Sequence, residues 1–176
     1  QFENEANPAY HRNTTGPEIL RDFAGRDLDY FVSGWGTGGT LTGAGQVIKF
    51  ARPETQIIAA EPEGAAMLSG NDWSPHKIQG WTPDFLPAVL NKDVADKVVQ
   101  INDDAAIANA HRLAREEGIF VGISSGATLT AALTVAESAP DNSTFCVMLP
   151  DTGERYLSTP LFENISEESD DEWLAS

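Results

Sequence analysis

Six glycines occur in the thirteen residues from 33 to 45, SGWGTGGTLTGAG. Glycine has no Cβ, so the backbone at such positions can approach an anion closely, and a helix starting there would add free amides and the positive end of its dipole. Thr37 and Thr40 add hydroxyl donors. The dipole alone contributes only about 0.3 to 1 kcal/mol, so several donors must converge to hold a phosphate. The segment is a candidate phosphate-binding loop.

The spacing of these glycines is compatible with more than one ligand. Gly34, Gly36 and Gly39 satisfy the pattern GxGxxG. Glu61 follows at the end of the next predicted strand, where the ribose-binding carboxylate of a nicotinamide-cofactor site would stand. A different phosphate-bearing ligand, or a glycine-rich turn with no ligand, fits the pattern equally well. The pattern alone leaves these three interpretations open.

Strands and helices alternate around this loop. Apolar runs predict strands within 28–34, 55–64, 96–101, 119–126 and 142–150, and helical spacing predicts helices within 14–25, 40–53, 103–118 and 127–139. Thr15 is the predicted N-cap of the first helix, and Ser124 and Ser125 are candidate N-caps of the last. This alternation predicts an α/β fold, with a mainly parallel twisted sheet covered by helices on both faces. Residues 71–91, rich in proline and aromatic residues, are expected to form an ordered functional loop.

Composition excludes several classes of function. The net charge is −16, from 27 acidic and 11 basic residues, which argues against nucleic acid or an anionic membrane as a partner. No apolar run approaches the roughly 20 residues that span a bilayer. The single cysteine, Cys146, can form no internal disulfide, so a buried structural thiol and a cytoplasmic location are expected. His11, His76 and His111 do not lie at metal-ligand spacing, and no metal site is predicted.

The domain organisation follows from the same composition. Residues 1–165 are long and apolar enough for one domain, and no second domain is required. The acidic sequence at the end of the chain, ISEESDDEWLAS, predicts a flexible tail over residues 166–176.

Five sequence blocks, in order, resemble the cysteine synthase (O-acetylserine sulfhydrylase) family. The blocks are QFENEANPAYHRNTTGPEIL, GTGGTLTG, PHKIQG followed by FLP, GIFVGISSGA, and ERYLSTPLF. The resemblance implies an enzyme that depends on pyridoxal 5'-phosphate and has the tryptophan-synthase β-subunit-like fold, fold type II. It also indicates that the glycine loop binds one phosphate and no dinucleotide.

The resemblance assigns roles to individual residues. The implied phosphate ligands are Gly36, Thr37, Gly38, Gly39 and Thr40. Ser124 would hydrogen-bond the pyridine nitrogen, and its neutral hydroxyl suits β-elimination because it does not favour a protonated ring as a carboxylate would. Gln1 and Gly80 would contact the substrate. The sequence departs from the family at residues 81–83, where Trp-Thr-Pro replaces a small, glycine-containing segment and is expected to narrow or stiffen the entrance.

The resemblance also implies that part of the enzyme lies outside this chain. The family's Schiff-base lysine lies upstream of the block that begins at Gln1, and no lysine of this chain stands in a matching motif. The lysines are Lys49, Lys77, Lys92 and Lys97. We therefore expect the C-terminal portion of a cysteine synthase, with no catalytic residue of its own and no turnover in isolation.

The implied reaction of the intact enzyme converts O-acetyl-L-serine and sulfide to L-cysteine and acetate. The family resemblance further implies a homodimer, and a serine acetyltransferase C-terminus as a possible partner in the active-site cleft. Three alternatives remain: an enzyme like cystathionine β-synthase, a noncatalytic module that binds such a C-terminus, and, least favoured, a nicotinamide-dependent oxidoreductase.

Overall fold

A computed structural model describes residues 1–163 of the chain. Four parallel strands form one sheet in the order β3-β2-β1-β4. The strands are β1 (Tyr30–Gly34), β2 (Gln56–Pro62), β3 (Lys97–Ile101) and β4 (Phe145–Val147). The predicted acidic tail, 166–176, lies outside the described residues.

Five α-helices connect and cover these strands in the described part of the chain. They are α1 (Ala6–Asn13), α2 (Thr15–Asp22), α3 (Gly39–Ala51), α4 (Asp103–Glu117) and α5 (Ile123–Ala136). Short 3-10 turns occupy Glu63–Ala65, Lys92–Val94 and Gly153–Tyr156. Within residues 1–163, none of the helices has the length and apolar character needed to cross a membrane.

The two faces of the sheet bury different helices. Phe31 of β1 packs in a cluster with Leu41 of α3, while its neighbour Val32 packs on the opposite side with Ala127 of α5. This alternation follows from the two-residue period of a strand, which sends successive side chains to opposite faces. Full burial of such a side chain stabilises the fold by about 1.5 to 3 kcal/mol. The predicted α/β fold with helices on both faces is confirmed.

The strand predicted within 119–126 is wrong. Within the described residues this segment forms a single antiparallel bridge, between Val121 and Thr152, and α5 already begins at Ile123. The backbone of the segment pairs with the loop after β4, where the Gly153 N–H donates to the Phe120 carbonyl at 3.3 Å. The apolar residues therefore enter a helix directly, after one bridge.

The first helical segment also differs from expectation. The sequence did not predict α1, whose polar residues give little apolar periodicity. Thr15 is the first residue of α2 and not its N-cap, and its hydroxyl instead bonds His11 Nδ1 at 2.9 Å. α1 packs closely on α3 because Gly43 carries no Cβ, and a Cβ there would overlap the Pro8 carbonyl oxygen.

Cys146 lies on the edge strand β4 and is partly buried. Burial, with a smaller contribution from the charge of Asp22, raises the pKa of its thiol. The thiol is therefore protonated at neutral pH, in agreement with the structural role expected for it.

The contact between α4 and α5 supplies a test of the packing. A Cβ on Gly126 would overlap the Ala106 carbonyl oxygen and crowd Ala110. Gly126→Val should therefore lower the free energy of unfolding by about 1 to 3 kcal/mol, because the two helices must separate. Urea unfolding followed by circular dichroism measures the change. Leu133→Ala, on the exposed side of α5, is the control and should shift stability by less than about 0.5 kcal/mol.

Candidate functional site

The glycine loop connects the carboxyl end of β1 to the first residue of α3. Gly38 is the N-cap of α3 and has a left-handed backbone with φ of 82°, a conformation that favours glycine. The Gly39 N–H donates to Thr37 Oγ1 at 3.2 Å. The N–H groups of Thr40 and Leu41 have no acceptor among residues 1–163, as expected in the first turn of a helix. These amides form a ready donor set for an anion.

The glycines of the loop let other segments approach it closely. A Cβ on Gly36 would overlap the Gly80 carbonyl oxygen, and a Cβ on Gly39 would overlap the side chain of Asn7. At the end of β1, a Cβ on Gly34 would overlap the Trp81 ring. The structure thus brings Gly80, one of the two predicted substrate residues, directly against the predicted phosphate loop.

Asn7 links the start of the chain to the same loop. Its Nδ2 donates to the Gln1 carbonyl oxygen at 3.0 Å and to Thr37 Oγ1 at 2.9 Å. Gln1, the second predicted substrate residue, therefore lies beside the loop. Asn7 was missed from the sequence because α1, which carries it, was not predicted.

His11, one helical turn after Asn7 on the same face of α1, also supports the loop. Its Nε2 lies 3.2 Å from Thr40 Oγ1, and burial lowers the pKa of the ring, which favours the neutral imidazole. The histidine thus restrains the rotation of a hydroxyl that the sequence places in the phosphate site. Among residues 1–163, no group of three or more potential metal ligands is present.

Ser124 and Ser125 lie in the first turn of α5, so the expectation that they are its N-caps is wrong. The N-cap is Gly122, and the capping group is the carboxylate of Asp151, 26 or more residues away. It accepts from the Ser124 N–H at 3.0 Å and from the Ser125 N–H at 2.9 Å, and the Ser125 hydroxyl also donates to it. An anion at this position is favoured by the helix dipole.

Ser124 and the glycine loop lie at the same edge of the sheet. The Met148 N–H donates to the Val32 carbonyl at 3.0 Å, so the β1–β4 pairing continues toward the carboxyl ends of both strands. Thr128 Oγ1 donates to the Met148 carbonyl at 2.6 Å and fixes the first turns of α5 there. In a parallel sheet this edge is where ligands bind. No hydrogen bond joins Ser124 to residues 36–40 in the described structure.

Tyr156 completes the surroundings of Ser124. Burial, followed by a hydrogen bond and the negative charge of Asp151, raises the pKa of Tyr156 to about 12, and a hydrogen bond with Ser124 acts in the opposite direction. Gly122 makes room for both neighbours, since a Cβ there would overlap Asp151 and the Tyr156 ring. The sequence missed Asp151 and Tyr156. The available signal was an acidic residue shortly after the last predicted strand, at the edge where ligands bind.

Glu61 decides against the nicotinamide interpretation. Its side chain is fully buried, and its carboxylate accepts hydrogen bonds from the Leu68 N–H at 2.9 Å, the Ser69 N–H at 2.9 Å and the Ser69 hydroxyl at 2.6 Å. These bonds hold the turn after β2, and the oxygens are not directed to a ribose. The proposed role of Glu61 in a dinucleotide site is wrong.

A family model described as "Pyridoxal-phosphate dependent enzyme" matches residues 1–151. The chain belongs to this family. Family members use pyridoxal phosphate, so the predicted cofactor is confirmed, and the glycine loop of this chain fits its phosphate. The fit rests on the unpaired amides of Thr40 and Leu41 and on the space that Gly36 and Gly39 leave.

Similar proteins include O-ureido-L-serine synthase of Streptomyces lavendulae, 57% identical over 176 residues, which cover 100% of this chain and 54% of that protein. Cysteine synthase of Staphylococcus aureus is 48% identical over 162 residues, covering 92% of this chain and 52% of that protein. The chain therefore spans about half the length of these relatives.

Solved structures agree with this assignment. The crystal structure of O-ureido-L-serine synthase matches with a TM-score of 0.95 at 57% identity, covering 99% of this chain and 55% of that one. The cysteine synthase of Entamoeba histolytica matches with a TM-score of 0.87 at 37% identity, covering 98% of this chain and 51% of that one. The fold type II expected for this chain is confirmed.

The raised pKa of Tyr156 predicts a loss of stability at high pH. The pKa of the phenol is near its ordinary value of 10.0 in the unfolded chain and about 12 in the folded chain. The contribution of Tyr156 to the free energy of unfolding is therefore fully present below pH 10 and is lost as the pH rises from 10 to about 12. Urea unfolding at pH 9 and pH 11 should show a larger loss in the unchanged chain than in Tyr156→Phe. Equal losses in both proteins would contradict the assignment. Tyr10→Phe, at an exposed tyrosine, is the matched control and should behave like the unchanged chain.

Proposed function

We propose that this chain supplies one half of the active site of a β-replacement enzyme of the cysteine synthase type. Residues 36–40 hold the cofactor phosphate, Ser124 faces the pyridine nitrogen, and Gln1 and Gly80 contact the substrate. The observation that supports this best is the meeting of three segments at one sheet edge, where Asn7 and Gly80 contact a loop with free amides.

The residues of this chain act by binding and orientation. Backbone amides at the start of α3 and the hydroxyls of Thr37 and Thr40 donate to the phosphate. Asp151 fixes the helix turn that carries Ser124, whose neutral hydroxyl can donate to or accept from a ring nitrogen. Bound pyridoxal phosphate supplies the electron sink for breaking the bond at the β-carbon of the amino acid.

In this proposal the chain is the C-terminal portion of the enzyme, and the Schiff-base lysine belongs to the portion outside it. The intact protein converts O-acetyl-L-serine and sulfide to L-cysteine and acetate. A homodimer and binding of a serine acetyltransferase C-terminus belong to the same proposal. The order of the five sequence blocks supports these assignments.

A second candidate product is O-ureido-L-serine. Two observations favour it. The 57% identity to O-ureido-L-serine synthase exceeds the 48% identity to cysteine synthase. Residues 81–83, where the sequence departs from the cysteine synthase pattern, lie against the glycine loop through Trp81 and Thr82. The two candidates share the cofactor and the β-replacement step and differ in the nucleophile.

Phosphate binding by residues 36–40 can be tested with a pair of ligands. The chain should bind pyridoxal 5'-phosphate more tightly than pyridoxal, which lacks the phosphate. Thr40→Ala should weaken binding of the phosphorylated form by roughly tenfold, the effect of losing one hydrogen bond to a charged group, and leave pyridoxal binding unchanged. Titration followed by absorbance or tryptophan fluorescence measures both affinities.

Two variants serve as controls for this measurement. Thr40→Ser keeps the hydroxyl and should retain most of the affinity. Thr134→Ala removes an exposed hydroxyl on α5 and should change neither affinity. Equal affinities of the unchanged chain for the two ligands would remove the proposed phosphate site.

The placement of the lysine outside this chain gives a test of activity. The chain incubated with pyridoxal phosphate, O-acetyl-L-serine and sulfide should produce no cysteine, because the covalent anchor of the cofactor is absent. A colorimetric assay for cysteine measures the product. Cysteine formation at the rate of an intact cysteine synthase, run in parallel, would show that this chain contains its own catalytic lysine.

A further inference from the structure

Two buried polar atoms in the loop between β2 and β3 have no hydrogen-bond partner. They are His76 Nδ1 and Thr82 Oγ1, and among residues 1–163 the one other unpaired buried side-chain atom is Trp35 Nε1 in the adjoining glycine loop. Thr82 is 1% exposed. Buried polar groups in native proteins are nearly always paired, so an unpaired one calls for a partner that is not part of the chain.

Thr82 is also held in an unusual backbone conformation. Its φ is 37°, a left-handed value that a β-branched residue rarely adopts. Three hydrogen bonds hold it there: its N–H donates to the Trp35 carbonyl at 3.0 Å, and its carbonyl accepts from Trp73 Nε1 at 2.8 Å and from His76 Nε2 at 3.4 Å. Strain maintained in this way is characteristic of functional sites.

The hydrogen bond from His76 determines which of its nitrogens can accept. The Thr82 carbonyl can only accept, so Nε2 carries the hydrogen, and Nδ1 of the neutral ring then presents a lone pair. Nδ1 therefore requires an N–H or O–H donor, whereas the Thr82 hydroxyl can donate or accept. A group that offers both an N–H and a carbonyl, such as an amide or a urea, satisfies this pair. A carboxylate offers no donor.

The pair lies next to the glycine loop. The Gly80 carbonyl packs on Gly36, the Trp81 ring covers Gly34, and Thr82 bonds the backbone of Trp35. Residues 80–82 thus run beside residues 34–36, where the proposed phosphate site begins. A group bound to His76 and Thr82 would be a neighbour of the cofactor site.

We propose that His76 and Thr82 form a specificity site for a neutral amide-type or urea-type group of a substrate bound beside residues 34–36. The site deepens the second candidate of the proposed function, O-ureido-L-serine as the product, on which its connection to the reaction rests. It favours a nitrogen-bearing nucleophile over sulfide, since hydrogen sulfide offers only a weak S–H donor.

The site can be tested on the chain itself with two small probes. N-methylurea offers N–H donors and a carbonyl, whereas methyl acetate offers acceptors only. The Nε1–H resonance of Trp73, which reports on the Thr82 carbonyl, is followed by NMR in the 15N-labelled chain. We expect a saturable shift with N-methylurea and an affinity roughly tenfold higher than for methyl acetate, the effect of about one hydrogen bond.

Conservative variants separate the site from its surroundings. Thr82→Val keeps the shape without the hydroxyl, and His76→Lys keeps a donor for the Thr82 carbonyl but offers no acceptor in place of Nδ1. Each should reduce the N-methylurea affinity to that of methyl acetate. Thr82→Ser should retain the preference for N-methylurea over methyl acetate. Thr134→Val, at an exposed threonine, is the matched control and should also retain it. If Thr82→Val unfolds, the test stays valid as long as His76→Lys retains the native spectrum.

The outcomes of the N-methylurea experiment can be told apart from those of the pyridoxal phosphate titration. No saturable shift with N-methylurea, or a preference unchanged in both variants, overturns the specificity site and identifies His76 and Thr82 as ligands of ordered water. The pyridoxal phosphate titration is independent of these probes. Loss of phosphate binding there, with the N-methylurea preference intact, would overturn the proposed function and leave a urea-type site.

Discussion

The site depends on the absence of Cβ atoms at the carboxyl end of β1. The Trp81 ring, the Gly80 carbonyl and the Asn7 side chain each occupy the volume that a side chain at Gly34, Gly36 or Gly39 would fill. Segments from three parts of the chain therefore meet within van der Waals contact. The same absence leaves the first amides of α3 accessible, so close packing and anion binding have one structural cause.

Backbone amides compensate the charge of Asp151 and of Glu61. Asp151 accepts from the first turn of α5, and Glu61 accepts from the turn at residues 68–69. Both carboxylates hold backbone segments near the edge of the sheet where the glycine loop lies, and their hydrogen bonds go to those segments and not to the loop. The side chains that hydrogen-bond residues 37 and 40 are Asn7 and His11, which are uncharged when His11 is neutral. An overall charge of −16 is thus compatible with an anion site.

Sequence reasoning succeeded where local pattern determines structure. β1, the glycine loop and α3 are contiguous, and their period changes from two to 3.6 at the glycines, so their order along the chain could be predicted. It failed where residues far apart in sequence determine structure. The start of α5 depends on Asp151, 27 positions after Ser124, and the strand predicted from its apolar residues does not form. The approach of α1 depends on Gly43, whose partner Pro8 lies in a helix without clear amphipathicity.

The half-buried thiol of Cys146 makes this chain convenient for spectroscopy. Alkylating reagents react with the thiolate, and the raised pKa keeps the thiolate population low at neutral pH. A cysteine introduced at an exposed position, such as Phe50 on α3 at 91% exposure, would be modified first. A fluorophore or spin label can therefore be attached at one chosen residue while the native cysteine, and the edge strand that carries it, are left unchanged.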